Sequence, residues 1–114
     1  MDDLFYVEAV DTHGRAELRL CGELDVASRS LVESAVHQLV RDADAETIVV
    51  DLAELTFCDA SGLHAFAAGQ QEAAAHGKTL VLAHPSPEVR LVLDTVEFGR
   101  VVPIRTSGDA DARQ

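Results

Sequence analysis

Basic residues are scarce in this chain: nine Lys and Arg stand against twenty Asp and Glu in 114 residues, for a formal net charge of −11. Nucleic-acid binding draws its affinity largely from Lys and Arg contacts to phosphate, and no basic cluster is present to supply them, so DNA or RNA is not an expected partner. Long apolar runs are missing too. Each is interrupted well short of the roughly 20 residues that a membrane-spanning helix needs. The opening Met1-Asp2-Asp3 is acidic where a secretory leader is basic. The expectation is a soluble, cytoplasmic protein without membrane insertion. Cysteine is limited to Cys21 and Cys58, with neither a CxxC spacing nor a His at metal-ligand distance in sequence. No DxDxDG-type loop is present for Ca or Mg, and neither a metal nor a cofactor is expected. If the two cysteines lie on adjacent strands, a disulfide between them needs Cα atoms within about 7 Å. The plainer reading is two small, buried, free thiols.

What the chain does have is alternation. Its 114 residues can bury roughly two thirds of the unfolded surface as one domain, which we place over residues 1–105. Residues 5–10 and 16–21 are predicted strands, separated by Asp11-Thr12-His13-Gly14, a turn composition suited to an antiparallel hairpin. Residues 26–41 set Leu31, Val32, Ala35, Val36, Leu39 and Val40 at helical spacing, with Asp25 as N-cap. Ile48, Val49 and Val50 continue through Leu52 as a strand expected to be buried on both faces. A second helix turns Leu63, Phe66, Ala67 and Ala74 inward and ends near Gly77. Residues 79–83 form the next strand. A third helix opens at Ser86-Pro87, with Val89, Val92, Leu93 and Val96 inward, and residues 101–104 make a short last strand. A hairpin followed by alternating strands and helices predicts an α/β fold. Its mixed β-sheet has an N-terminal antiparallel hairpin and later parallel strands, with three to four helices packed on it. Residues 106–114 lack sizeable apolar side chains and are expected to form a disordered tail.

In such folds function gathers where the carboxyl ends of the strands meet the loops into the following helices. Two loops qualify: Gly22-Glu23-Leu24-Asp25 and Asp59-Ala60-Ser61-Gly62. If their strands are neighbours, Glu23, Asp25 and Asp59 surround Ser61 on one rim. Unpaired N–H groups at the start of the second helix would favour a phosphate there. Alternatively, and as the plainer reading, Asp59 or Ser61 simply caps the helix. His64, three residues beyond Ser61, lies on the same flank and is either a contact or a solvated surface residue. A hydrolase is not expected, because a nucleophile elbow needs a Gly-x-Ser-x-Gly turn and a separate acid to orient its base.

Three landmarks, in this order and spacing, resemble the STAS domain family over about residues 5–104. They are Gly22-Glu23-Leu24-Asp25, the segment 51–63 containing Asp59-Ala60-Ser61-Gly62, and Ser86-Pro87-Glu88-Val89-Arg90 followed by Val92-Leu93. The likeness is greatest to the stand-alone bacterial anti-sigma factor antagonists. It implies a protein that binds an anti-sigma factor, itself a serine kinase, and so releases a sigma factor for transcription. Phosphorylation by that kinase ends the binding, and a serine phosphatase resets it. The implied partner contacts are Glu23, Asp25, Asp59, Ala60, Ser61, Gly62 and His64. One position departs from the family. The usual turn is Asp-Ser-Ser-Gly or Asp-Ser-Thr-Gly, whose first hydroxyl accepts the phosphate, and here that residue is Ala60. Three readings stand: Ser61 has taken over as acceptor, the protein is a permanently unphosphorylated binder, or the site serves another partner. The last would make it a soluble scaffold or accessory subunit of a signalling or ABC-type transport complex.

Overall fold

A computed structural model describes residues 5–12 and 15–105. Along the chain run β1 (Tyr6–Thr12), β2 (Arg15–Leu24), α1 (Arg29–Asp42), β3 (Thr47–Cys58), α2 (Ala60–Ala75), β4 (Thr79–Ala83), α3 (Pro87–Thr95), a 3₁₀ turn (Phe98–Arg100) and β5 (Ile104–Arg105). The five strands form one sheet in the order β1-β2-β3-β4-β5. β1 and β2 are antiparallel, and every later neighbour is parallel. This is the mixed α/β sheet that the alternation of elements predicts. The tail at residues 106–114 and the turn residues His13 and Gly14 lie outside the described residues.

Burial alternates along the first part of β2 and of β3, as a side-chain period of two requires when one face carries the core, whereas β4 is buried from Leu80 to Ala83. Leu18, Leu20 and Leu24 of β2 and Ile48, Val50 and Leu52 of β3 are buried with Val32, Val36, Phe66 and Leu93 of the helices. Each such side chain contributes about 1.5 to 3 kcal/mol on burial. Between them Arg15 and Arg19 are exposed, and Glu17, Val49 and Asp51 are only half-buried. The expectation of a β3 buried on both faces is therefore corrected. The core lies on one side, and Val49 stays at the open face, where its register neighbours are Glu17 and Val81.

β3 is also longer than its apolar run suggests. β4 pairs with it only from Thr47 to Asp51, whereas β2 follows it to Cys58. The register shifts twice between Arg19 and Glu23, and Gly22 adopts φ 107°, a conformation that favours glycine. Thr56 Oγ1 donates to the Gly22 carbonyl at 3.1 Å and holds the irregular stretch together. Where β4 stops, α3 packs against β3 instead.

The helices differ from the expected stripes at single positions. Before α1 the chain makes a hydrogen-bonded turn, with Arg29 N–H donating to the Asp25 carbonyl at 3.0 Å, so the helix proper begins at Arg29 rather than residue 26. Leu31 falls off its buried stripe and is 48% exposed. In α2 the buried stripe is Gly62, Ala65, Phe66, Gly69 and Ala73, which leaves Ala74 exposed. α3 ends at Thr95, and Val96 is exposed because the chain turns away at Glu97, where φ is 55°. The last strand is Ile104–Arg105 rather than 101–104. Val102 reaches the core from outside it.

Candidate functional site

The loop after β2 is built on Asp25. Its Oδ1 accepts the N–H groups of Ala27 at 3.0 Å and Ser28 at 3.2 Å. The Ser28 hydroxyl accepts the Asp25 N–H at 3.0 Å and lies 3.1 Å from the Glu23 carbonyl, to which it donates. The expectation of Asp25 as N-cap of α1 is therefore corrected: the N-cap is Ser28, and Asp25 caps the turn ahead of the helix, because that turn separates it from Arg29.

Asp59 holds the second loop in the same way. Its Oδ1 accepts the N–H of Ser61 at 2.9 Å and of Gly62 at 3.2 Å. Of the two sequence readings, the geometry is that of the cap: the donors that would cradle a phosphate already bind a carboxylate of the chain itself. A backbone bond of 3.3 Å from Asp59 N–H to the Leu24 carbonyl ties the loops together. In register, Glu23 pairs with Phe57 and Leu24 with Cys58. β2 and β3 are neighbours, so Glu23, Asp25 and Asp59 share one rim.

Exposure sorts the predicted residues. Glu23, Ala60 and His64 are exposed, Asp25, Asp59 and Ser61 are half-buried, and Gly62 is buried. A Cβ on Gly62 would come within 2.6 Å of Cys58 Sγ and 2.9 Å of Leu24 Cδ2. This residue acts by letting α2 approach the strand ends closely. Two of the three carboxylates spend an oxygen on capping, while the Glu23 carboxylate makes no hydrogen bond or ion pair with another described residue. The Ser61 hydroxyl likewise makes no hydrogen bond to another described residue.

Cys58 is 4% exposed, and its thiol is pushed up to about 12, first by burial and then by the neighbouring Asp59 charge. Cys21 pairs in register with Tyr6 and Glu54, four positions back along β3 from Cys58. The two cysteines do not bridge, and both are free. Among the described residues no group of three or more His, Cys, Asp or Glu is placed to hold a metal ion. No helix of the described residues is long and apolar enough to cross a membrane.

One feature escaped the sequence reading: a groove bounded by Thr56, Phe57 and Cys58 on β3 and Glu88, Val89 and Val92 on α3. Its signal was Phe57, a large apolar residue out of phase with the buried positions Leu55 and Cys58.

These observations first define a class: an α/β domain with a hairpin-led sheet, one buried face, and two tied loops on a single rim. The family follows from comparison. A family model described as "Mlab, STAS domain" matches residues 8–103, and the chain belongs to the STAS domain family. No curated protein matches the sequence. Among solved structures the chain is similar to an anti-sigma factor antagonist from Mycobacterium paratuberculosis, with 21% identity over 99% of this chain and 96% of that one and a TM-score of 0.82. It is similar to the anti-sigma factor antagonist SpoIIAA in its unphosphorylated form, with 26% identity over 96% of this chain and 95% of that one and a TM-score of 0.72. For the phosphorylated form of SpoIIAA, described as a Bacillus cell fate determinant, the identity is 25% over 96% and 98%, and the TM-score is 0.65. The chain therefore resembles the stand-alone antagonists of its family.

Proposed function

We propose that this protein is a cytoplasmic anti-sigma factor antagonist that binds an anti-sigma factor serine kinase and acts by occupying it, not by catalysis. The observation that carries the reading is the rim itself. The Asp59–Leu24 backbone bond joins the two loops, and the exposed Glu23, Ala60 and His64 stand there for a partner to meet. The relative SpoIIAA has been solved both phosphorylated and unphosphorylated, which supports a modification-controlled site in this kind of domain.

Ala60 has no hydroxyl and cannot accept a phosphoryl group. Ser61 is the only hydroxyl in the turn, and it is free of internal hydrogen bonds to described residues. We assign control to Ser61 or to no phosphorylation, and a binding-competent state that needs no modification. A phosphoserine brings about 1.5 to 2 negative charges. Each would repel a partner carboxylate at ~6 Å by roughly 2 to 3 kcal/mol at an effective dielectric near 20. Two decades of affinity correspond to about 2.8 kcal/mol, so a phosphate at Ser61 would suffice for release and a serine phosphatase for reset. Incubation with the kinase and ATP, followed by peptide mass spectrometry, should place phosphate on Ser61 or nowhere. Phosphate on any other residue rejects the assignment of the site. A pull-down from native cytosol should recover a kinase-like anti-sigma factor, whereas recovery of an ABC-type ATPase would make the chain an accessory subunit of a transport complex.

A further inference from the structure

Beside the rim, where β3 outruns β4, the walls formed by Phe57 on the strand and Val89 and Val92 on α3 enclose a groove of about 150 Å³. Phe57 remains 47% exposed there. Glu23 is its register neighbour on β2, and Glu88 stands on the opposite wall. Neither carboxylate has an ion-pair partner among the described residues. Arg19, Arg29, Arg90 and Arg100 are committed to other acids, and Lys78 donates to the carbonyls of Ala43 and Ala45. The groove is thus an apolar slot with one unneutralised carboxylate, Glu88, on its wall and a second, Glu23, on the strand beside Phe57.

Size and charge together define the occupant. An apolar cavity of about 150 Å³ takes up a benzene-sized group, so the slot suits one aliphatic side chain. Glu88 on the wall, with Glu23 next to Phe57, favours cations beside that chain and opposes acids, with a strength that grows as docking removes water. We infer that the groove is a docking slot for a partner-protein segment carrying a Leu, Ile or Met side chain flanked by Lys or Arg. That the segment belongs to an anti-sigma factor rests on the proposed function; the chemistry of the slot does not. The slot extends the binding surface from the two loops onto α3, which makes Glu88 a determinant of which partner is accepted.

The ¹⁵N-labelled full chain, titrated with millimolar acetyl-Arg-Leu-Arg-amide, should show saturable amide shifts at Phe57, Glu88 and Val92. Acetyl-Glu-Leu-Glu-amide and acetyl-Arg-Ser-Arg-amide should bind about fivefold more weakly or worse, because one meets like charge and the other leaves the slot unfilled. Glu88→Lys should erase the preference for the basic peptide over the acidic one. Shifts absent from the groove, or equal for the basic and acidic peptides, overturn the slot. In a second arm, purified anti-sigma factor should bind Phe57→Ser and Glu88→Lys roughly tenfold more weakly than the unchanged protein, each variant first checked for fold by circular dichroism. Full affinity in both variants overturns the slot and leaves the proposed function standing. Failure of the unchanged protein to bind overturns the proposed function, while the peptide arm still decides the slot.

Discussion

The Asp59 carboxylate accepts the backbone N–H of Gly62 at 3.2 Å, so the residue that caps α2 also fixes the glycine through which α2 meets the strand ends. Asp59→Ala removes an acceptor shared by two helix N–H groups and should cost about 0.5 to 2 kcal/mol in urea unfolding. Asp59→Asn keeps an N-cap oxygen and should stay within a few tenths of a kcal/mol of the parent. Equal stability of the alanine and asparagine variants would show that the cap contributes nothing.

Gly62 and Gly69 both lie on the buried stripe of α2 but should respond differently to alanine. At Gly62 the new Cβ meets Cys58 Sγ at 2.6 Å and Leu24 at 2.9 Å, and overpacking of this kind costs about 1 to 3 kcal/mol. At Gly69 the nearest atoms are side-chain methyls of Leu80 and Val36 at 3.1 Å, which need give by only a few tenths of an ångström. A helical propensity gain of about 1 kcal/mol offsets most of that strain, so Gly69→Ala should be close to neutral. Thermal unfolding of the two variants, side by side, checks the order. A Gly62→Ala protein as stable as Gly69→Ala would contradict the close approach.

Cys58 should be chemically silent and should make the protein sensitive to alkali. Its thiol is held near 12 in the folded chain against an ordinary 9.0, so unfolded chains lose this proton first as pH rises. The unfolded state then binds fewer protons, and stability falls as pH climbs from about 9 towards 12. Below 9 the contribution is fully present. Denaturant titrations at several alkaline pH values should show a steeper decline in the parent than in Cys58→Ala. Iodoacetamide at mild pH should label Cys21 well before Cys58. Preferential labelling of Cys58 would refute its burial.

Much of the fold was legible because periodicity changes where the elements change. Pro87 after Ser86 marked α3, and Ser86 Oγ does accept the Val89 N–H at 3.3 Å. The turn residues of the first hairpin and the alternation of strand and helix were enough to predict the sheet. The errors fell where composition gives no contrast. Ala73, Ala74 and Ala75 are identical side chains, so only the packing of Gly62 and Gly69 decides which alanine points inward. Val49 looked like core because its β-branched side chain suits either face of a strand. The rim was legible in part: Asp59 is the helix cap that one sequence reading offered, whereas Asp25 caps the turn before α1 and not the helix itself. The groove at Phe57 was not, because it exists only where β4 ends short of β3 and α3 takes its place, a length mismatch no local pattern encodes.

The central claim is that an anti-sigma factor docks on the rim at Ala60 without any phosphate there. Ala60 is exposed and opens α2, where an acid is favoured by the helix dipole, so Ala60→Glu should fold normally and change only what the partner meets. Gln71, exposed about three turns further along the same helix, supplies the control Gln71→Glu. Isothermal titration of the purified anti-sigma factor kinase should show tight binding by the unchanged chain and by Gln71→Glu, and binding weakened about 30-fold or more in Ala60→Glu. No binding by the unchanged chain, or equal affinity in the two variants, would contradict the account.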